Sequence, residues 1–114
     1  MREVNLSMTR GDSRQYLIDV VDERGIAVDV TGALINFRLA KDKTKPVDLL
    51  LVNGPQVTVV DGVLGLLSIR LTNLDTDGLL GDYFYEVELI FPFSGVSTVL
   101  FGVHTFLQDI RVTP

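Results

Sequence analysis

Hydrophobic and polar residues alternate with a period of two through most of this chain. Val4, Leu6 and Met8 are separated by Asn5 and Ser7. Tyr16, Ile18 and Val20 share one face, and Ala33, Ile35, Phe37 and Leu39 share another against Asn36 and Arg38. Val57 and Val59 alternate with Thr58, and Leu67, Ile69 and Leu71 with Ser68 and Arg70. The clearest run is Tyr83, Tyr85, Val87, Leu89 and Phe91, with Glu86 and Glu88 between them. Successive strand residues point to opposite faces, so each run predicts a half-buried strand. Residues 96–107 are apolar on both faces, as a central or interface strand would be. Gly102 within them marks a bulge or a close backbone approach.

Turn signals separate these runs. Arg10-Gly11-Asp12-Ser13, Asp22-Glu23-Arg24-Gly25 and Asp29-Val30-Thr31-Gly32 each reverse the chain. The segment from Lys41 to Pro46 is charged and ends in a residue that cannot donate to a sheet, so it reads as a solvated loop. Asp61-Gly62 between two apolar runs predicts a hairpin with a type I′ turn. Thr72 to Leu80 has room for one helical turn, capped by Thr72 or Asn73 and stopped by Gly78. Gly81-Asp82-Tyr83 then launches the next strand. Strand, short polar crossing, and a tyrosine at the start of the following strand is the order by which an immunoglobulin-like sandwich passes from one sheet to the other. The expected fold is therefore all-β: a single domain over residues 1–114, an immunoglobulin-like antiparallel sandwich of seven or eight strands. Tyr83, Tyr85, Val87 and Leu89 are expected to face Ile18, Val20, Ile35 and Phe37 across its core.

Composition narrows the function. The 114 residues carry a net charge of −5 and no cysteine. Disulfides, thiolate metal sites and a cysteine nucleophile are excluded. The densest basic stretch, Lys41, Lys43 and Lys45, is diluted by Asp42, which argues against a nucleic-acid footprint. No apolar run is long enough to span a membrane, and the first residues lack the apolar centre of a signal peptide. The 46% apolar content is high for a small domain, which points to an interface as well as a core.

Candidate chemistry is sparse. Tyr83 reads as a structural corner residue whose hydroxyl returns to backbone. Asp75-Thr76-Asp77-Gly78 resembles part of a calcium loop but lacks the late bidentate carboxylate, so no metal is expected. Arg10-Gly11-Asp12 falls where a hairpin must turn. His104, the single histidine, reads as a core or interface residue. Glu86 and Glu88 share a strand face and are the one carboxylate pair suited to glycoside chemistry, but adjacent same-face glutamates on an amphipathic strand are more often its solvent side, which is the expected reading. No phosphate-binding glycine loop occurs, and no cofactor is expected. Phe91 and Phe93 flank Pro92 at a predicted hairpin tip and are the candidate interface residues.

With these residues in order, the chain resembles the N-terminal immunoglobulin-like domain of phage upper baseplate proteins. Arg10-Gly11-Asp12 before a long strand, Val28-Asp29-Val30-Thr31-Gly32-Ala33, Leu71-Thr72 with Asp75-Thr76, Leu80 to Val87, and Phe101-Gly102-Val103 carry the likeness. Residues 41–60 match poorly, and the family's module usually opens a longer chain. The resemblance implies a non-enzymatic structural module of a tailed phage or prophage virion, in tail or baseplate. It would be assembled in the host cytoplasm, docking on other virion proteins, with a homo-oligomer as the further partner expected. A carbohydrate-binding or host-adhesion sandwich is the alternative.

Overall fold

The computed structural model describes residues 2–92 and 95–108. They form nine strands and one helical turn: β1 Arg2–Glu3, β2 Leu6–Thr9, β3 Arg14–Asp19, β4 Leu34–Ala40, β5 Leu49–Val52, β6 Val57–Asp61, β7 Leu66–Leu71, α1 Asn73–Thr76, β8 Gly81–Phe91 and β9 Gly95–Leu107. The strands build an all-β sandwich. Its larger sheet has six strands, ordered β1-β9-β8-β4-β5 with β2 also on β9; the smaller has three, ordered β3-β7-β6.

Two expectations need correction. The described strands number nine rather than seven or eight, because the opening run is broken at Val4-Asn5 and because Leu49–Val52 adds a strand. Nor is the sandwich purely antiparallel. β1 and β2 run parallel to β9, with Arg2 opposite Leu100 and Met8 opposite Phe106. The break between β1 and β2 has a local cause. Asn5 Oδ1 accepts from Val103 N, the Val4 carbonyl leans over Gly102, and a Cβ on Gly102 would lie 2.3 Å from that oxygen. Gly102 thus serves the close backbone approach. The bulge lies three residues earlier, at Val99, where the β8–β9 register shifts.

The core follows the predicted alternation. Ile35, Phe37 and Leu39 of β4, Tyr83, Tyr85, Val87 and Leu89 of β8, and Leu100, His104 and Phe106 of β9 are buried. Ile18 and Val20, and Val57, Leu67, Ile69 and Leu71, cover them from the other layer. Ile35 and Phe37 do not face β8, as expected; they lie beside it, Ile35 opposite Leu89 and Phe37 opposite Val87 in the same sheet. Alternation gives the inward face of a strand but not its sheet.

Crossing from β7 to β8, Thr72 caps α1. Asp75 N donates to Thr72 Oγ1, and Thr72 N donates back to Asp75 Oδ2 at 2.9 Å, a reciprocal box. The expected two-residue turn at Asp61-Gly62 is instead a four-residue turn from Gly62 to Gly65, closed by Gly65 N donating to Gly62 O. The positive φ falls on Gly65, at 69°. This tip docks on the chain behind it: Val20 N donates to Gly65 O and Val30 N to Gly62 O. A Cβ on Gly62 would lie 2.3 Å from Thr31 Oγ1, so the glycine is required by contact rather than by φ.

Candidate docking face

Residues of β4, β8 and β9 that point away from the core form the outer face of the larger sheet. Its centre is ionic. Arg38 Nη1 donates to Glu86 Oε1 at 2.9 Å and Nη2 donates to Glu88 Oε1 at 2.8 Å, and Asn36 Nδ2 reaches the same Glu88 oxygen. One guanidinium therefore holds both carboxylates of the pair suited to glycoside chemistry. The arrangement is that of a cross-strand ionic clamp.

Apolar groups flank this clamp. On one side Leu34, Ile90 and Val96 stand opposite one another across three strands. Leu34 and Val96 are 56% and 61% exposed. On the other side, Ala40, Val47, Phe84 and Phe101 line an open groove of about 480 Å³, with Lys43 and Lys45 at its rim. Lys43 Nζ lies 4.5 Å from the Phe84 ring centre, a cation resting on an aromatic face. Leu34 and Phe84 occupy the polar phase of their strands, so an apolar residue out of phase is a signal legible in the chain.

The remaining candidates lie elsewhere. Phe91 is half-buried against the core at the end of β8, and Phe93 lies outside the described residues. Tyr83 is buried at the start of β8, edge-on to Phe106 at 5.5 Å. The hydroxyl-to-backbone bond expected of it belongs to Tyr85, which donates to the carbonyl of Val4. That partner is on the first strands rather than a few residues upstream. All three tyrosines, with Tyr16 half-buried, pack into the sandwich, so none stands as a sugar platform.

His104 is buried between the sheets, stacked on Phe106 at 4.3 Å, and its Nε2 shares a 2.8 Å hydrogen bond with the Tyr16 hydroxyl. Burial pushes its pKa down to about 4, so it is a neutral core residue at pH 7. Burial likewise raises Tyr85, to about 12, with Tyr16 adding to the effect. The acidic run is structural: Asp75 Oδ2 accepts from Thr72 and from Gln56, and the Thr76 hydroxyl accepts from Gly11 N and donates to Asp12 O. Arg10-Gly11-Asp12 is thereby a turn pinned to the β7–β8 crossing, with Gly11 at φ 80°. Among the described residues, no group of three His, Asp or Glu side chains is placed to hold a metal ion.

No protein-family model matches the chain, and no curated protein matches it either.

Proposed function

We propose that this chain is a non-enzymatic structural module of a tailed-phage or prophage virion, an immunoglobulin-like sandwich that docks on other virion proteins through the outer face of its larger sheet. The observation that carries the docking reading is the row Leu34, Ile90 and Val96, an apolar band beside the ionic centre of the face. Apolar side chains gathered on one solvent face mark a contact surface.

The immunoglobulin-like assignment draws support from strand order. Written as letters in chain order after the opening strands, β3, β7 and β6 take the places of B, E and D, and β9, β8, β4 and β5 those of G, F, C and C′. Phe37 and Tyr85, 6.1 Å apart, stand where such domains set a tryptophan against a cystine. Virion membership rests on the sequence resemblance.

Mass spectrometry of gradient-purified particles from cells that produce the protein tests the reading. The chain should appear in fixed ratio to tail proteins. Leu34→Glu with Val96→Glu should remove it from particles while its melting transition is kept. Particles that never contain the native chain overturn the proposal.

A further inference from the structure

The sandwich has four strand edges, and three are guarded against pairing with another chain. The β1–β2 edge is short and interrupted at Val4-Asn5. β3 carries Arg14 and Asp19, and β6 breaks register between Val59 and Asp61. Charge, interruption and bulges are the usual means of blunting an edge. The fourth edge, β5, is as short as β2 but carries no charge, interruption or bulge. It reads Leu49-Leu50-Leu51-Val52, pairs with β4 in unbroken register, and has no other partner strand among the described residues. Its outward side chains, Leu50 and Val52, are 49% and 55% exposed.

We infer that β5 is a self-pairing edge, and that its occupant is β5 of a second copy of this chain, antiparallel about a two-fold axis. Three observations select a second copy. Pro46 and Pro55 lie outside the strand, so all four residues of Leu49–Val52 keep a backbone N–H and carbonyl. The stretch is self-complementary. With Leu51 on the axis against its own copy, Leu50 meets Val52 on the outer face. No like charges oppose, and outward residues meet outward residues, as a continuous sheet requires. Moving the axis to Leu50 sets Asp48 against Val52, and half-step registers oppose outward residues to inward ones. Third, the edge adjoins the proposed docking face, so pairing would double that face and keep its two halves coplanar. A closed two-fold contact of this kind is isologous and stops at two copies.

The contact is short, below the area of a permanent dimer, so association should depend on concentration. The inference deepens the docking reading by naming one partner and one edge. Sedimentation equilibrium from micromolar to millimolar protein should show a monomer–dimer equilibrium. Leu50→Lys and Val52→Lys should each weaken it by roughly tenfold or more with an unchanged melting transition, since both side chains are already in solvent. The chain has no cysteine, so engineered thiols report position cleanly. Oxidising a mixture of Leu50→Cys and Val52→Cys chains should give a mixed disulfide dimer, whereas Leu17→Cys, on the other sheet, should not cross-link. A chain monomeric at millimolar concentration, or one whose association ignores both lysines, overturns the inference. A monomeric chain that still enters particles overturns this inference alone and leaves the virion reading standing.

Discussion

β8 and β9 carry polar groups on both sides, and the two sides behave differently. Inside, His104 sits between Phe106, Tyr16 and Tyr85, out of contact with water. Outside, on the opposite face of the same sheet, Arg38 bridges Glu86 and Glu88, with about a third of its side chain in solvent. The inner group is held neutral because burial penalises its charge. The outer groups are partly hydrated and paired with one another. Residue type does not separate the two sites, since both consist of groups often used in catalysis. Burial separates them, and it gives one the power to couple folding to protons while the other fastens two strands.

The largest break in this comparison is with pH. His104 has a folded pKa of about 4 against 6.5 when unfolded, so the folded state binds fewer protons between those values. Its contribution is fully present above pH 6.5 and is lost as pH falls toward 4, on the order of 2 kcal/mol. Urea denaturation across this window should show the loss, and His104→Gln should flatten it; an equal slope in that variant would assign the effect to other groups. A smaller effect comes from the hydroxyls lining the same layer. Tyr85→Phe leaves the Val4 carbonyl without its donor and should cost about 1–2 kcal/mol, while Tyr83→Phe should cost less than half of that. Reversed costs would return the corner role to Tyr83. The smallest effect belongs outside. Arg38→Met should cost under about 1 kcal/mol, shrinking further in 1 M salt, because partly hydrated ion pairs are weak and screened. A loss insensitive to salt would mean that the clamp is tighter than its exposure implies.

Much of the inner layer is legible in the chain. The odd-numbered run from Tyr83 to Leu89 and the run from Ile35 to Leu39 are strands whose inward residues are those the pattern marks. Thr72 caps a helical turn where a cap and a stop were both visible. Residues 96–107 are apolar on both faces because β9 is central. What stayed illegible depends on distant parts of the chain. Leu49–Val52 has no alternation, so nothing local announces β5. Parallel pairing of β2 with β9 joins residues about 98 apart and leaves no turn to read. Asp61-Gly62 has the composition of a tight hairpin, yet contacts with Val20, Val30 and Thr31 set its shape. Arg38 lies 48 residues before Glu86, so the strand pairing that joins them was not visible in a run of carboxylates. Phe91 follows the inward phase of β8, and that phase outweighs its place beside a turn.

The parallel ladder of β1 and β2 on β9 has a mechanical meaning. Arg2 enters beside Leu100, midway along β9, and Leu107 leaves at the far end of that strand. Tension between those points runs along the strands and across their hydrogen bonds. The bonds are then loaded together, in shear, instead of being peeled open singly. A domain strung between two anchors in this way yields late and all at once, whatever those anchors are.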